Sequence, residues 1–122
     1  MAEGTLIAES LRIDSPLSGL ALEVTEICRR SFGALATAQP RTWTFIRFEI
    51  DDGAAAPLAT ALAGVLEDAG GWYCDFRTAT ETFVVFPRRV FRYPRGDLKR
   101  RAAAAEHARR IGIPEAQIDW PE

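Results

Sequence analysis

Apolar and polar residues alternate along six stretches of this chain, and a period of two is the pattern of a half-buried β-strand. The clearest stretch is 42–50, where Phe45 and Phe48 lie on opposite faces. A break in the period near Glu26 predicts a bulge in the second stretch. The predicted strands are 5–13, 20–30, 42–50, 72–78, 82–86 and 90–93, with small residues at 33–39 connecting the second strand to the third.

Two further stretches place apolar residues three and four positions apart, which is the spacing of one face of an α-helix. Leu58 and Leu62 recur at this spacing within 55–68. A second helix is predicted at 98–111, because Asp97 supplies an N-cap and the apolar side that follows is mostly alanine. Such a small-residue face predicts a helix that packs close to the sheet.

The elements follow one another in the order β-β-β-α-β-β-β-α. Runs of neighbouring strands favour an antiparallel arrangement, and 122 residues suffice for one hydrophobic core. We therefore predict an α+β fold in which residues 1–122 form a single domain. Its expected architecture is a mostly antiparallel sheet of about six strands with both helices on one face.

Composition narrows the class of protein. The chain carries 15 basic and 17 acidic residues and a net charge of −2. Residues 1–10 lack the basic and apolar regions of a secretory leader, and no apolar run approaches the ~18 residues needed to cross a bilayer. We expect a cytoplasmic protein with no membrane partner, in which Cys28 and Cys74 are buried thiols.

Motifs for the common chemistries are lacking. The chain has one histidine, His107, so a zinc site built from several histidines is excluded within one chain. The sequence contains neither a nucleophile elbow nor a glycine-rich phosphate loop. We predict no catalytic residue, no metal and no cofactor.

The basic residues are concentrated in 88–101, which holds seven of them against one acid, Asp97. They are Arg88, Arg89, Arg92, Arg95, Lys99, Arg100 and Arg101. These cations could neutralise the phosphates of a single-stranded nucleic acid, whose bases could stack on Phe91 and Tyr93. Alternatively, Arg95 and the second helix's N-terminus could hold an anion, although the Asp97 carboxylate opposes one. The interpretation that we favour is a solvated surface, the usual role of charge runs in soluble domains.

One part of the chain resembles known proteins. The segment 71–120, from GWYCDFRTATETFVVFPRRVFRYPRGD to IGIPEAQIDW, is similar to a family of short uncharacterised bacterial proteins, and WTFIRFEI in the first half also fits. The resemblance implies a single domain. It implies no assigned activity, so it supplies no catalytic residue.

Two functions from different classes follow. We expect first a non-enzymatic domain that acts by association, as a homodimer or with another protein, because its aromatic sheet exceeds what two helices cover. The alternative is a small anionic ligand, or weak catalysis, in a cleft near Asp75, Arg77 and Arg92, where charges and rings converge. Arg95 is the fourth candidate ligand-binding residue.

We predict no useful nucleic-acid affinity near physiological salt, because ten acidic residues within 1–70 oppose the approach of phosphates. Titration of labelled single-stranded and duplex oligonucleotides at about 150 mM salt checks this. Micromolar or tighter binding that is abolished by Arg92→Ala together with Arg95→Ala would contradict it.

Overall fold

Six strands form one sheet in the computed structural model, which describes residues 1–33 and 39–122. The strands are β1 (Ala2–Ile7), β2 (Glu23–Ser31), β3 (Thr42–Ile50), β4 (Cys74–Arg77), β5 (Glu81–Phe86) and β6 (Arg89–Pro94). The helices are α1 (Ala55–Val65) and α2 (Leu98–Arg110). Of the predicted connection at 33–39, residues 34–38 lie outside the described part of the chain.

The strands lie in the order β2-β3-β1-β4-β5-β6, and every neighbouring pair is antiparallel. The predicted α+β class, strand number and element order are confirmed. The predicted bulge is confirmed as a register shift between Val24 and Glu26. Strand β1 is displaced from its predicted range, because the chain turns after Ile7 into a single 3-10 turn in which the Ser10 hydroxyl donates to the Ile7 carbonyl.

The two helices pack on opposite faces of the sheet, so the prediction that both share one face is wrong. Leu58 of α1 belongs to one buried cluster with Phe83 and Val85 of β5. Val84 and Phe86 of the same strand belong to the cluster that contains α2. Because successive strand residues point to opposite faces, these memberships place one helix on each side.

Helix α2 lies close to the sheet because its inward face is built from alanine. Ala104, Ala105 and Ala108 are buried against β5 and β6. The C-terminal tail completes this cluster, since the buried indole of Trp120 donates a hydrogen bond to the Tyr93 hydroxyl at 3.0 Å. As predicted, the Asp97 carboxylate caps α2 by accepting from the Arg100 backbone N–H.

Strand β1 lies between β3 and β4 and leaves no room for a side chain at Gly4. A Cβ atom there would lie 2.6 Å from the Phe76 Cβ and 2.7 Å from the Asp75 carbonyl oxygen. Real Cβ atoms do not approach backbone this closely, so glycine is required by the neighbouring strand.

We predict that Gly4→Ala destabilises the fold by about 1 to 3 kcal/mol, since β1 and β4 must separate to admit the methyl group. Gly64→Ala is the matched control, because Gly64 is exposed on α1 and, apart from its chain neighbours and the backbone of α1 itself, no described atom lies within 4 Å of the place that its methyl group would take. That change should stabilise by up to about 1 kcal/mol. Urea unfolding measures both, and an unchanged Gly4→Ala midpoint would contradict the tight β1–β4 approach.

Candidate functional site

The side of the sheet that carries α2 is only half covered. Helix α2 packs on β5 and β6, and among the described residues no helix packs on this side of the other four strands. We call this uncovered area the open half-face. Its side chains include Glu3, Thr5 and Ile7 of β1, Glu26, Cys28 and Arg30 of β2, Trp43, Phe45, Arg47 and Glu49 of β3, and Asp75 and Arg77 of β4.

Three adjoining hollows mark the open half-face, and Thr5 lines all of them. The polar hollow, about 360 Å³, is lined by Glu3, Arg47, Glu49, Asp75 and Arg77. The aromatic hollow, about 220 Å³, is lined by Trp43, Phe45, Trp72 and Tyr73, with Asp75, Gln117 and Asp119 as its polar groups. The edge hollow, about 260 Å³, is lined by Glu26, Cys28, Arg30 and Phe32 on its β2 side.

Asp75 lies at the border between the polar and aromatic hollows. Burial, together with the nearby charge of Asp119, raises the pKa of Asp75 to about 6, although the Arg77 guanidinium acts in the opposite direction. Within the described part of the chain, no side chain donates a hydrogen bond to this carboxylate. Asp75 is therefore available to a ligand that supplies a donor or a positive charge.

Tyr73 and the C-terminal tail fix the second carboxylate of the aromatic hollow. The Tyr73 hydroxyl lies 2.9 Å from Asp119 Oδ1 and also contacts the Gln117 carbonyl oxygen. Burial raises the pKa of Tyr73 far above its ordinary value, so this hydroxyl keeps its proton. The protonated hydroxyl can donate a hydrogen bond to the Asp119 carboxylate and hold it beside the aromatic hollow.

The cysteines differ in environment. Cys74 is buried as predicted, and burial raises the pKa of its thiol, which makes it a poor nucleophile. Cys28 is only half-buried, so its predicted burial is wrong. His107 contacts the rings of Phe86 and Phe91 on the α2 side of the sheet, whereas Cys74 belongs to the α1 cluster. The structure therefore brings no cysteine–histidine pair together at Cys74.

The structure brings together two of the four ligand-binding residues predicted from the sequence. Asp75 and Arg77 line the polar hollow. Arg92 is opposite Phe83 and shares its face, so it lies on the α1 side and pairs with Glu81 at 2.7 and 2.9 Å. Arg95 does not line the polar hollow either, and its guanidinium donates to the carbonyl oxygens of Thr78 and Ala79.

The basic segment 88–101 is largely engaged by the protein itself. Carboxylates pair with Arg88, Arg92 and Arg100, backbone carbonyls accept from Arg95 and Arg101, and Arg89 lies over the Phe91 ring. These contacts fit the interpretation of segment 88–101 as a solvated surface, because most of its cations have partners within the protein. They do not form a continuous row of free guanidinium groups.

The aromatic hollow and the charges of β2 were not predicted from the sequence. Trp43 and Trp72 lie 29 positions apart in the sequence, yet their ring centroids are 5.2 Å apart. A signal for the edge did exist, because Glu26, Cys28 and Arg30 alternate after the bulge. Asp119 carried no such signal, since only the path of the tail brings it to Tyr73.

The described residues provide neither a metal site nor a membrane-spanning helix, and no similar protein is found. In residues 1–33 and 39–122, no group of three or more His, Cys, Asp or Glu side chains could hold a metal ion. None of the described helices has the length and apolar character needed to cross a membrane. No family model, curated protein or solved structure matches the chain. The resemblance of 71–120 to short bacterial proteins therefore stays a prediction.

We predict that Asp75→Asn stabilises the fold at about pH 8 and has little effect at about pH 4. Because folding raises the pKa of Asp75 from 3.8 to about 6, its ionisation costs stability. That cost is absent below the lower value and complete above the higher one. Urea unfolding should show a gain of about 3 kcal/mol at the higher pH, because each unit of difference between the two pKa values corresponds to about 1.4 kcal/mol.

The matched control for this measurement is Asp14→Asn, because Asp14 is an exposed loop residue at φ 64°, a conformation that asparagine also adopts. This variant should unfold like the wild type at both pH values. Equal stabilities of the wild type and Asp75→Asn across the whole range would contradict the proposed environment of Asp75.

Proposed function

We propose that this domain acts by association with a second copy of itself, through antiparallel pairing of the two β2 strands. The observation that carries the proposal is the charge pattern of β2, in which Glu26 and Arg30 flank Cys28 symmetrically on one face. A strand with this pattern is complementary to its own reversed copy. No catalysis is required.

Strand β2 has the properties of an available edge. It is the terminal strand of the sheet and pairs with β3 alone among the described strands. Eight of its nine residues are exposed, and the exposed fraction of Ile27 is 64%. A long edge strand with exposed apolar residues is a template for pairing with another chain.

The backbone of β2 presents hydrogen-bonding groups at this edge. The Phe32 N–H donates to the Arg41 carbonyl, so bonding to β3 alternates from that pair along the strand. By this alternation the N–H and C=O groups of Ile27, Arg29 and Ser31 point away from β3. Water or a further strand can pair with these groups, and a second β2 strand supplies such a strand.

Charge selects one register. In an antiparallel pair centred on Cys28, Glu26 of each copy faces Arg30 of the other, which gives two opposite-charge pairs. In the same register Ile27 faces Arg29 of the second copy, so the outward backbone groups of both residues are paired. Centring the pair on Arg29 instead would place two guanidinium groups opposite each other.

Association through β2 also joins the two open half-faces. Glu26, Cys28 and Arg30 line the edge hollow, so the edge hollows of the two copies would meet at the two-fold axis. A cytoplasmic location fits this arrangement, because Cys28 would stay reduced there and pairing would depend on the strands alone.

We predict that the wild type sediments at micromolar concentration with twice the 13.5 kDa chain mass. Glu26→Arg and Arg30→Glu should each weaken the dimer about tenfold or more, because either change creates two like-charge pairs. An equimolar mixture of the two variants should recover the dimer. In the mixed dimer the two introduced side chains, one from each chain, face each other with opposite charges, and the native pair re-forms at the symmetry-related position.

Lys99→Glu is the control for charge reversal, because Lys99 is exposed on α2 and distant in sequence from β2. It should leave the dimer unchanged. Diamide, which takes up the two electrons and two protons of two thiols, should cross-link the wild type through Cys28 and leave Cys28→Ser uncross-linked. A monomeric wild type, or a mixture that fails to recover the dimer, would contradict the proposal.

Ligand binding on the open half-face is a second candidate function. It is favoured by the half-buried Asp75 carboxylate, which faces two hollows and accepts no hydrogen bond from any side chain of residues 1–33 and 39–122. An anionic ligand is less well supported, since three carboxylates against two guanidinium groups line the polar hollow. Arg92 and Arg95, which were expected to supply further positive charge, lie outside it.

A further inference from the structure

We propose that the aromatic hollow binds a small organic ammonium ion. The inference rests on the second candidate function and names the chemical class of its ligand. Four aromatic side chains line this hollow together with two carboxylates, Asp75 and Asp119. Aromatic faces and carboxylates are the two groups by which proteins recognise organic cations.

The aromatic walls meet at one end of the hollow. The Trp43 ring centroid lies 5.2 Å from that of Trp72 and 6.0 Å from that of Phe45, so the three rings form a contiguous wall. The Trp43 indole N–H donates to the Pro40 carbonyl at 2.7 Å, which fixes the ring without using the hollow. Phe45 already contacts a cation, the Arg30 guanidinium, at 5.7 Å.

The two carboxylates of the aromatic hollow come from β4, which supplies Asp75, and from the C-terminal tail, which supplies Asp119. Asp119 is held by Tyr73, and the tail is further fixed by paired amide hydrogen bonds between Gln117 and Gln39. Arg47 and Arg77 line the neighbouring polar hollow and are not among the residues of the aromatic hollow. Both charged side chains that line the aromatic hollow are therefore carboxylates, which are complementary to an ammonium ion and oppose an anion.

The size of the hollow restricts the ligand further. About 220 Å³ accommodates a compact methylated or alkyl ammonium group. Methyl groups on nitrogen suit the rings because they spread the positive charge over an apolar surface. Asp75, to which none of the described side chains donates a hydrogen bond, can face the charged nitrogen.

The test is an NMR titration with tetramethylammonium chloride, followed at the indole N–H signals of Trp43 and Trp72. We expect saturable shifts of these signals, whereas tert-butanol, a neutral compound of similar shape, should bind about tenfold more weakly or not at all. Asp75→Asn should weaken tetramethylammonium binding about tenfold, and Phe45→Leu about fivefold. Asp14→Asn, which removes a carboxylate from an exposed loop, should leave the binding unchanged.

The outcomes separate the ligand class from the function on which it rests. Equal binding of tert-butanol, or full binding by a folded Asp75→Asn variant, would overturn the ammonium assignment. Sodium propionate binding in place of tetramethylammonium would overturn the assignment and preserve ligand binding on the half-face. Failure of all three probes to shift any open half-face signal would overturn both. Circular dichroism of each variant establishes that it is folded.

Discussion

Burial of β5 on both faces is the constraint on which the rest of the structure depends. Its side chains are buried from Thr82 to Phe86, so each face of this strand needs a cover of its own. Helix α1 covers Phe83 and Val85, and α2 covers Val84 and Phe86. With one helix committed to each face at this end of the sheet, no helix in the described part of the chain covers the α2 side of the opposite end.

Both proposed functions use what this arrangement leaves open. The uncovered strands end at β2, whose outward backbone groups and alternating charges suit a second copy of the strand. Between β2 and the C-terminal tail lie the hollows that Asp75 and the tryptophans line. Pairing through β2 would extend the sheet without covering these hollows, because the new strands add at the edge rather than over the face.

The sequence predicted the strands and helices well because their periodicity is local. Residues 42–50 alternate clearly and form β3 within the same bounds. The prediction that both helices share one face of the sheet was wrong. The unbroken apolar run Phe83–Phe86 is the signal of a strand that is buried on both faces, and such a strand needs a helix on each side. The site was only partly predictable: Asp75 and Arg77 share a strand, whereas the face occupied by Arg92 depends on its register with β5.

Amide hydrogen exchange of β2 at two protein concentrations tests whether this edge is the association surface. If it is, the amides of Ile27, Arg29 and Ser31 exchange rapidly in dilute protein, and their exchange slows markedly as the concentration rises. The Cys28 and Arg30 amides, which face β3, should be protected at both concentrations. Rapid exchange of the three outward amides at every concentration would contradict the account.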